Sequence, residues 1–369
     1  MHTLLPSSDE TIYLLLLDMS KAFDTMRRKD LLEDLKTIVN EEELFLYGKL
    51  LNIKLAVRCG QSLSPFFITD TGGPQGECSS AKNFTLYLAN SLVETTEENS
   101  DASINSNPTT DPLDPNQNHL FLELLYADDI NEISNNPAKI KAIEETYPTI
   151  LARRGLNINS DKTEKFTISR NNPDKTWKRC KLLGSLLDTA SDIKRRKSLA
   201  IDATKTVKML FNNKKLWKST KASVFDTYVS SVFLYNACTW TLTKSQEHQI
   251  DSFQRRLIRT NVLNVTWPDI VKNEDVYRLS EIRPWSTKIK KQRMIWLGHL
   301  LRMKESTPVR KALKFAEEAY QKPRGKPKLT WSKLVKEQLE SEMEITWNEA
   351  KVITQDRKRW RTLVQGKYY

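Results

Sequence analysis

Asp128 and Asp129 stand side by side in LeuLeuTyrAlaAspAspIle (124–130), with an aromatic residue before them and apolar residues on both flanks. Neighbouring carboxylates repel one another, and each loses hydration where a strand carries it inward. A divalent cation is the usual compensation for such a pair. Far upstream, the apolar run IleTyrLeuLeuLeuLeu (12–17) ends in Asp18. Two strands that bring carboxylates to one point meet the requirement of two-metal phosphoryl transfer. Taken alone, AspAsp fits a solvated hairpin tip equally well, so the surrounding elements have to decide.

Residues 12–17 read as a strand, and SerLysAlaPheAspThr (20–25) leads from it into a helix with Leu31, Leu32, Leu35, Ile38 and Val39 on one face. A second helix is expected at 42–51, then a hairpin from 53–57 and 65–69 around the polar turn GlyGlnSer (60–62). GlyGlyProGlnGly (72–76) is a turn, after which Ser79 or Ser80 caps a helix carrying Phe84, Tyr87, Leu88 and Leu92. Residues 94–119 hold almost nothing apolar and read as a disordered surface insertion. The AspAsp hairpin follows, then a helix at about 137–153 and a strand around Phe166–Ile168. From 190 onward the pattern is nearly all helical, with tryptophans from Trp217 to Trp360 spread among Lys and Arg. These rings and His299 are expected to pack in the core or between helices, with base stacking the less favoured role.

A chain of 369 residues has room for two or three domains. At 39% hydrophobic and 28% charged it has the composition of a soluble protein, and no apolar run is long enough to span a bilayer. The first residues lack the basic start and apolar core of a secretory leader. Cys59, Cys78, Cys180 and Cys238 form neither a CxxC nor a Cys/His cluster, which fits a reducing compartment, cytoplasmic or nuclear. The net charge of +12 conceals a division: residues 1–170 hold 16 Lys/Arg against 26 Asp/Glu, and residues 171–369 hold 42 against 20. An acidic half with the carboxylates, joined to a strongly basic half, suits a metal site beside a platform for a phosphate backbone. Nucleic acid is therefore the expected partner.

Taken in order, these pieces resemble the reverse transcriptase of non-LTR (LINE-type) retrotransposons. LeuAspMetSerLysAlaPheAspThr (17–25) looks like the first palm motif of that family, and GlyGlyProGlnGly with its helix like the template- and nucleotide-facing motif. TyrAlaAspAsp looks like the metal-binding hairpin, GlyLeuAsnIleAsnSerAspLysThrGlu (155–164) like the motif after it, and LeuLeuGlySerLeuLeu (182–187) like the primer-gripping hairpin. In the basic half, TyrAsnAlaCysThrTrpThrLeuThrLys (235–244), TrpProAspIleValLysAsnGluAspVal (267–276), TrpLeuGlyHisLeuLeuArgMet (296–303) and ArgGlyLysProLysLeuThrTrp (324–331) look like segments that follow the polymerase domain. Five palm motifs in the right order are a specific signal.

The resemblance implies an α+β fold: a palm with an antiparallel sheet and packed helices over 1–188, a helical thumb over 189–265, and a basic helical region over 266–369. It implies an RNA-directed DNA polymerase that uses an RNA template, a DNA primer and deoxynucleoside triphosphates. Asp18, Asp128 and Asp129 are then the ligands of two Mg²⁺ ions, with Mn²⁺ as a substitute. Phe23 lies under the incoming sugar or is ordinary core, and Gln75 with Gly76 faces the template or nucleotide. Lys162 is either the general acid for departing pyrophosphate or a solvated loop lysine. Lys194, Arg195, Arg196 and Lys197 are expected to hold nucleic acid, and Asp24 to be structural. Only 17 residues precede Asp18, none of them Lys or Arg, so the basic fingers that clamp a triphosphate in this family are expected to be missing by N-terminal truncation. Two readings follow: an active polymerase, or a catalytically inactive remnant that binds nucleic acid.

Overall fold

The computed structural model describes residues 11–52, 54–73, 79–98, 121–169, 175–266, 268–318 and 329–368. The chain divides into two units, Asp9–Pro173 and Asp174–Tyr369. In the first, strand β1 (Ile12–Leu17) leads to helices α1 (Ala22–Thr25), α2 (Arg28–Leu35) and α3 (Glu41–Leu51). Short strands β2 (Lys54–Leu55), β3 (Arg58–Cys59), β4 (Ser62–Leu63) and β5 (Phe67–Ile68) follow, then α4 (Ser80–Glu98). The unit ends with β6 (Phe121–Tyr126), β7 (Asp129–Ser134), α5 (Pro137–Arg153) and β8 (Glu164–Ile168).

β1 is an inner strand of the antiparallel sheet β6-β7-β1-β8, which is why its run is apolar at every position. Leu15 and Leu17 share one face with Ile130 of β7 and pack on Phe84, Tyr87 and Leu88 of α4 and Ile143 and Leu151 of α5. Leu14, Ile133 and Ile168, one residue out of step, are buried on the other face. The sheet and its helices match the expected α+β palm, and α5 has the expected bounds. Residues 54–68 form a hairpin, with β2 on β5 and β3 on β4.

Two expectations fail here. Helix α2 stops at Leu35, so Ile38 leaves the apolar face and is 63% exposed. The segment expected to be disordered from 94 begins as helix, because α4 runs on to Glu98. Residues 99–119 lie outside the described residues.

The second unit opens with a two-stranded hairpin, β9 (Lys181–Leu182) and β10 (Ser185–Leu186), and is helical from there. Its helices are α6 (Thr189–Thr206), α7 (Lys208–Asn212), α8 (Lys218–Val224), α9 (Ser231–Leu234), α10 (Lys244–Asn261), α11 (Asn273–Ser280) and α12 (Trp285–Arg302). Then come α13 (Pro308–Glu318), α14 (Trp331–Gln338), α15 (Trp347–Ile353) and α16 (Arg357–Lys367). A π-helical turn, Phe225–Ser230, joins α8 to α9.

An aromatic stack organises the main core, with the Phe233 and Trp285 rings 4.0 Å apart. This core runs across the 265/266 division expected from the sequence, since Val276, Ile282 and Ile289 pack with Ile193, Val229 and Ile258. A second core joins Met294, Leu297, Leu339 and Trp360. Trp240, Trp285 and Trp360 are buried as expected; Trp217 is 81% exposed, and Trp267 lies outside the described residues. Cys59 and Cys238 are free thiols. Among the described residues no helix is long and apolar enough to cross a membrane.

Candidate active site

Asp18 follows the last residue of β1. The register pairs Leu17 with Ile130, so one step further Asp18 comes opposite Asp129, and Asp128 sits in the turn that closes β6 on β7. That turn is tight. Ala127 adopts a left-handed backbone with φ 53°, an uncommon conformation for a residue with a Cβ and one that concentrates at functional sites.

The segment after α5 lies along Asp18. Gly155 ends α5 with φ +77°, while Leu156 N donates to Leu151 O and Gly155 N to Ala152 O, a glycine C-cap. A Cβ at Gly155 would come within 3.1 Å of Thr25 O and sit on a positive φ, so any other residue is strained where the chain passes α1. Beyond it, Ser20 N donates to Asn157 O (2.8 Å) and Asn159 N to Asp18 O (2.7 Å). Asn159 then turns the chain: its carbonyl accepts from Lys162 N and Thr163 N, and its side chain accepts from Asp161 N. The turn aims Lys162, whose Nζ is 3.2 Å from Asp18 Oδ2. The approach lacks hydrogen-bond alignment, and Asp18 Oδ2 remains a buried atom without a hydrogen-bond partner.

The base of the hairpin holds a second carboxylate pair. Glu123 of β6 is directly opposite Glu132 of β7, which is fully buried. Tyr147 of α5 donates its hydroxyl to Glu123 (3.1 Å), and neither Glu132 oxygen has a hydrogen-bond partner. Burial, and then the charge of Glu123, push the Glu132 carboxyl up to about 9, so it stays protonated near neutrality. Burial pulls the Lys139 ammonium below its usual range, against the pull of Glu132 and Glu123.

The other expected residues are dispersed. Phe23 packs its ring 4.5 Å from that of Phe84, at the edge of the core. Gln75 and Gly76 lie outside the described residues, although Gly72 and Gly73 dock their backbone N–H groups on Met26 O and Phe23 O. Lys194 is exposed, and Lys197 lies over the Phe253 ring. Arg195 donates to Gly184 O at 2.8 Å.

Arg196 corrects the expectation of a nucleic-acid contact. It is 5% exposed, donates to Gly184 O and Ser185 Oγ, covers the Tyr235 ring and pairs with Asp192. It fastens the β9–β10 hairpin to α6 and has no face left for a phosphate.

Sequence reasoning passed over Arg28, a buried guanidinium that donates to Gly72 O (2.8 Å) and Thr69 O (2.7 Å) and so fixes the approach to the glycine loop. It placed Tyr87 on its helix but missed the contact of its hydroxyl, which donates to Arg154 O. Arg154 in turn pairs with Asp34. An arginine within a leucine-rich helix is the one available signal, and it does not say which carbonyls will be met.

The donor chemistry at Asp18 suits a hard divalent cation: carboxylate oxygens, one of them buried without a hydrogen bond and countered by the Lys162 ammonium. Among the described residues no group of three or more His, Cys, Asp or Glu gathers to hold an ion unaided. Asp18 and the turn supply carboxylates, the ligand type magnesium takes at nucleotide sites, where water and phosphate complete its shell.

Residues 2–210 match the family of reverse transcriptases (RNA-dependent DNA polymerases), and the chain belongs to it. A transposon-derived protein of Caenorhabditis elegans is 21% identical over 271 residues, 66% of this chain and 94% of that protein. Among solved structures, apo telomerase from Candida tropicalis aligns with a TM-score of 0.40 at 11% identity, over 83% of this chain and 53% of that one. Telomerase from Candida albicans with a TWJ fragment of telomeric RNA aligns with a TM-score of 0.36 at 10% identity, over 85% and 52%. The chain thus spans about half the length of these telomerase chains.

Proposed function

We propose that the chain is the RNA-directed DNA polymerase of a non-LTR, LINE-type retrotransposon, extending a DNA primer on an RNA template with deoxynucleoside triphosphates. The observation that carries this reading is the meeting of Asp18, at the end of β1, with the turn that holds Asp128 and Asp129. It rests on the family membership of the chain.

In this reading Asp18, Asp128 and Asp129 hold two Mg²⁺ ions, or Mn²⁺ in their place. Such ions lower the pKa of a primer hydroxyl and neutralise triphosphate charge when bound. Asp18 offers its Oδ2, which lies against Lys162 Nζ at 3.2 Å. Lys162, 65% exposed at its side chain, leaves Asp18 to protonate the departing pyrophosphate. Phe23 bounds the sugar, and Gln75 with Gly76 meets the nucleotide or template. Lys194, Arg195 and Lys197 hold backbone phosphates. The palm runs over 1–188, and the thumb over 189–265 shares its core with the start of the basic region over 266–369.

Primer extension on an RNA template with Mg²⁺ tests it, using wild type, Asp18→Asn and Asp128→Asn. Both substitutions keep side-chain shape and remove one charge, so extension should vanish while binding changes little. Extension that survives either substitution removes these carboxylates from the chemistry. Wild type that binds but never extends would establish the non-catalytic, nucleic-acid-binding reading instead.

A further inference from the structure

Helix α12 is two-faced. Ile289, Met294, Leu297 and Leu301 turn into the cores. Gln292, Trp296, His299 and Arg302, three or four residues apart, line a cleft of about 1210 Å³ within the second unit. Across it, α16 contributes Arg357 and Arg361, one turn apart. Another wall comes from the π-helical turn 225–230 and from Tyr235 just beyond α9. Single π turns inside helices recur at functional sites. Gly298 sets the approach of α12 and α16: Trp360 lies against it and donates Nε1 to Met294 O at 2.9 Å.

Three guanidinium groups converge here. Asp226, the one acidic residue among the described lining residues, is already held by Lys288 at 2.6 Å and by Ser230 Oγ at 3.0 Å. Arg302 donates to Thr354 O, and burial together with the charge of Arg357 lowers its proton affinity. Arg357 and Arg361 have no acidic partner among the described residues. Like charges gathered in a concavity are unfavourable until an anion joins them.

The same cleft presents aromatic faces. The Trp296 and His299 rings lie 5.4 Å apart, and Tyr235 is 48% exposed. A small anion would use the arginines and ignore the rings, and a duplex keeps its base faces stacked out of reach. Cations beside aromatic faces match a strand with both phosphates and free bases. Tyr235, Trp296, His299 and Arg302 belong to the segments 235–244 and 296–303, which the carboxylate site does not use.

We propose that this cleft binds a single-stranded stretch of nucleic acid, its phosphates on Arg302, Arg357 and Arg361 and a base against Trp296 and His299. The inference deepens the polymerase reading and rests on it for the kind of ligand, but its residues and its test are separate.

The full chain, in EDTA, is titrated against a fluorescein-labelled 20-residue oligouridylate and against a duplex of equal length, across a range of salt concentrations. For Arg357→Gln/Arg361→Gln, both exposed, the single-strand affinity should fall about tenfold or more. Its logarithmic salt slope should shrink by about 1.4, from two phosphates at roughly 0.7 each. Trp296→Leu should cost roughly tenfold for the single strand, the scale of one lost stack, with the salt slope and duplex affinity unchanged. Losses no larger than those of the exposed pair Lys214→Gln/Lys215→Gln overturn the proposal, as do equal losses for single strand and duplex.

Cross-linking of wild type to 4-thiouridine RNA gives a measure independent of any folding defect. Adducts within 296–302 or 357–361 support the site, and adducts confined elsewhere overturn it. A chain that binds here and never extends a primer refutes the polymerase reading alone. Extension with cleft-independent binding refutes this inference alone.

Discussion

Glu132 places a titration directly beneath the hairpin that carries Asp128 and Asp129. Its carboxyl is fully buried, faces Glu123 across the strand pair and has Lys139 and Tyr147 of α5 above it. In the folded chain it holds its proton up to about 9, against an ordinary value of 4.5. A raised folded pKa means that the folded state binds the extra proton. Its contribution to stability is full below about 4.5, declines above that, and is gone once pH has risen through about 9. Each pH unit inside that window is worth about 1.36 kcal/mol, so between pH 5 and pH 8 the first unit should lose up to about 4 kcal/mol through this group.

Glu132→Gln keeps the shape and removes the proton. The amide can donate to Glu123, as the protonated carboxyl can. The variant should gain on wild type steadily as pH rises from 5 to 8. All nine tryptophans lie at 177 or beyond, so their fluorescence is silent on this unit. Amide exchange of β6–β7 peptides, corrected for intrinsic rates, reads it directly. Parallel pH profiles for the two proteins, or a variant less stable than wild type at pH 8, would refute the reasoning.

Lys162→Ala should slow polymerisation by about 10²-fold, the scale of a lost general acid, when followed in single-turnover extension. The same variant should change unfolding stability by less than about 1 kcal/mol, because the Lys162 side chain is 65% exposed. Gly298→Ala drives a Cβ into the Trp360 indole, a rigid ring already fixed by its hydrogen bond to Met294 O. It should destabilise the second unit by about 1–3 kcal/mol, seen as a lower urea midpoint by tryptophan fluorescence.

Much of the palm was legible because its signals are local. The run 12–17 is apolar at every position, as an inner strand must be, and α5 begins on Pro137 behind an Asn136 cap and ends on Gly155. The carboxylates were legible as a spacing of residue types, and the register then brought Asp18 opposite Asp129. Ile38 was misjudged because periodicity does not announce where a helix stops, and α2 ends three residues earlier. The buried Glu132 was illegible: AspIleAsnGluIleSer is mostly polar with no clean alternation, and only the place of β7 between β6 and β1, with α5 packed on the face of Ile130, puts that carboxyl inside.

Arginine shows why charge alone could not assign a binding surface. Arg195, Arg196 and Lys197 stand together in a run that reads as a phosphate platform, yet Arg196 is consumed by Gly184 O and Ser185 Oγ of the hairpin before it. Arg302, Arg357 and Arg361 are scattered across 60 residues and read as background in a strongly basic half, yet the close packing that Gly298 permits draws them to one cleft. A guanidinium is available to a ligand only when the fold leaves its donors unmatched, and that depends on which backbone carbonyls stop short of a partner. The number of basic residues therefore pointed to the class of ligand, whereas the place where it binds follows from hydrogen bonds that no linear pattern records.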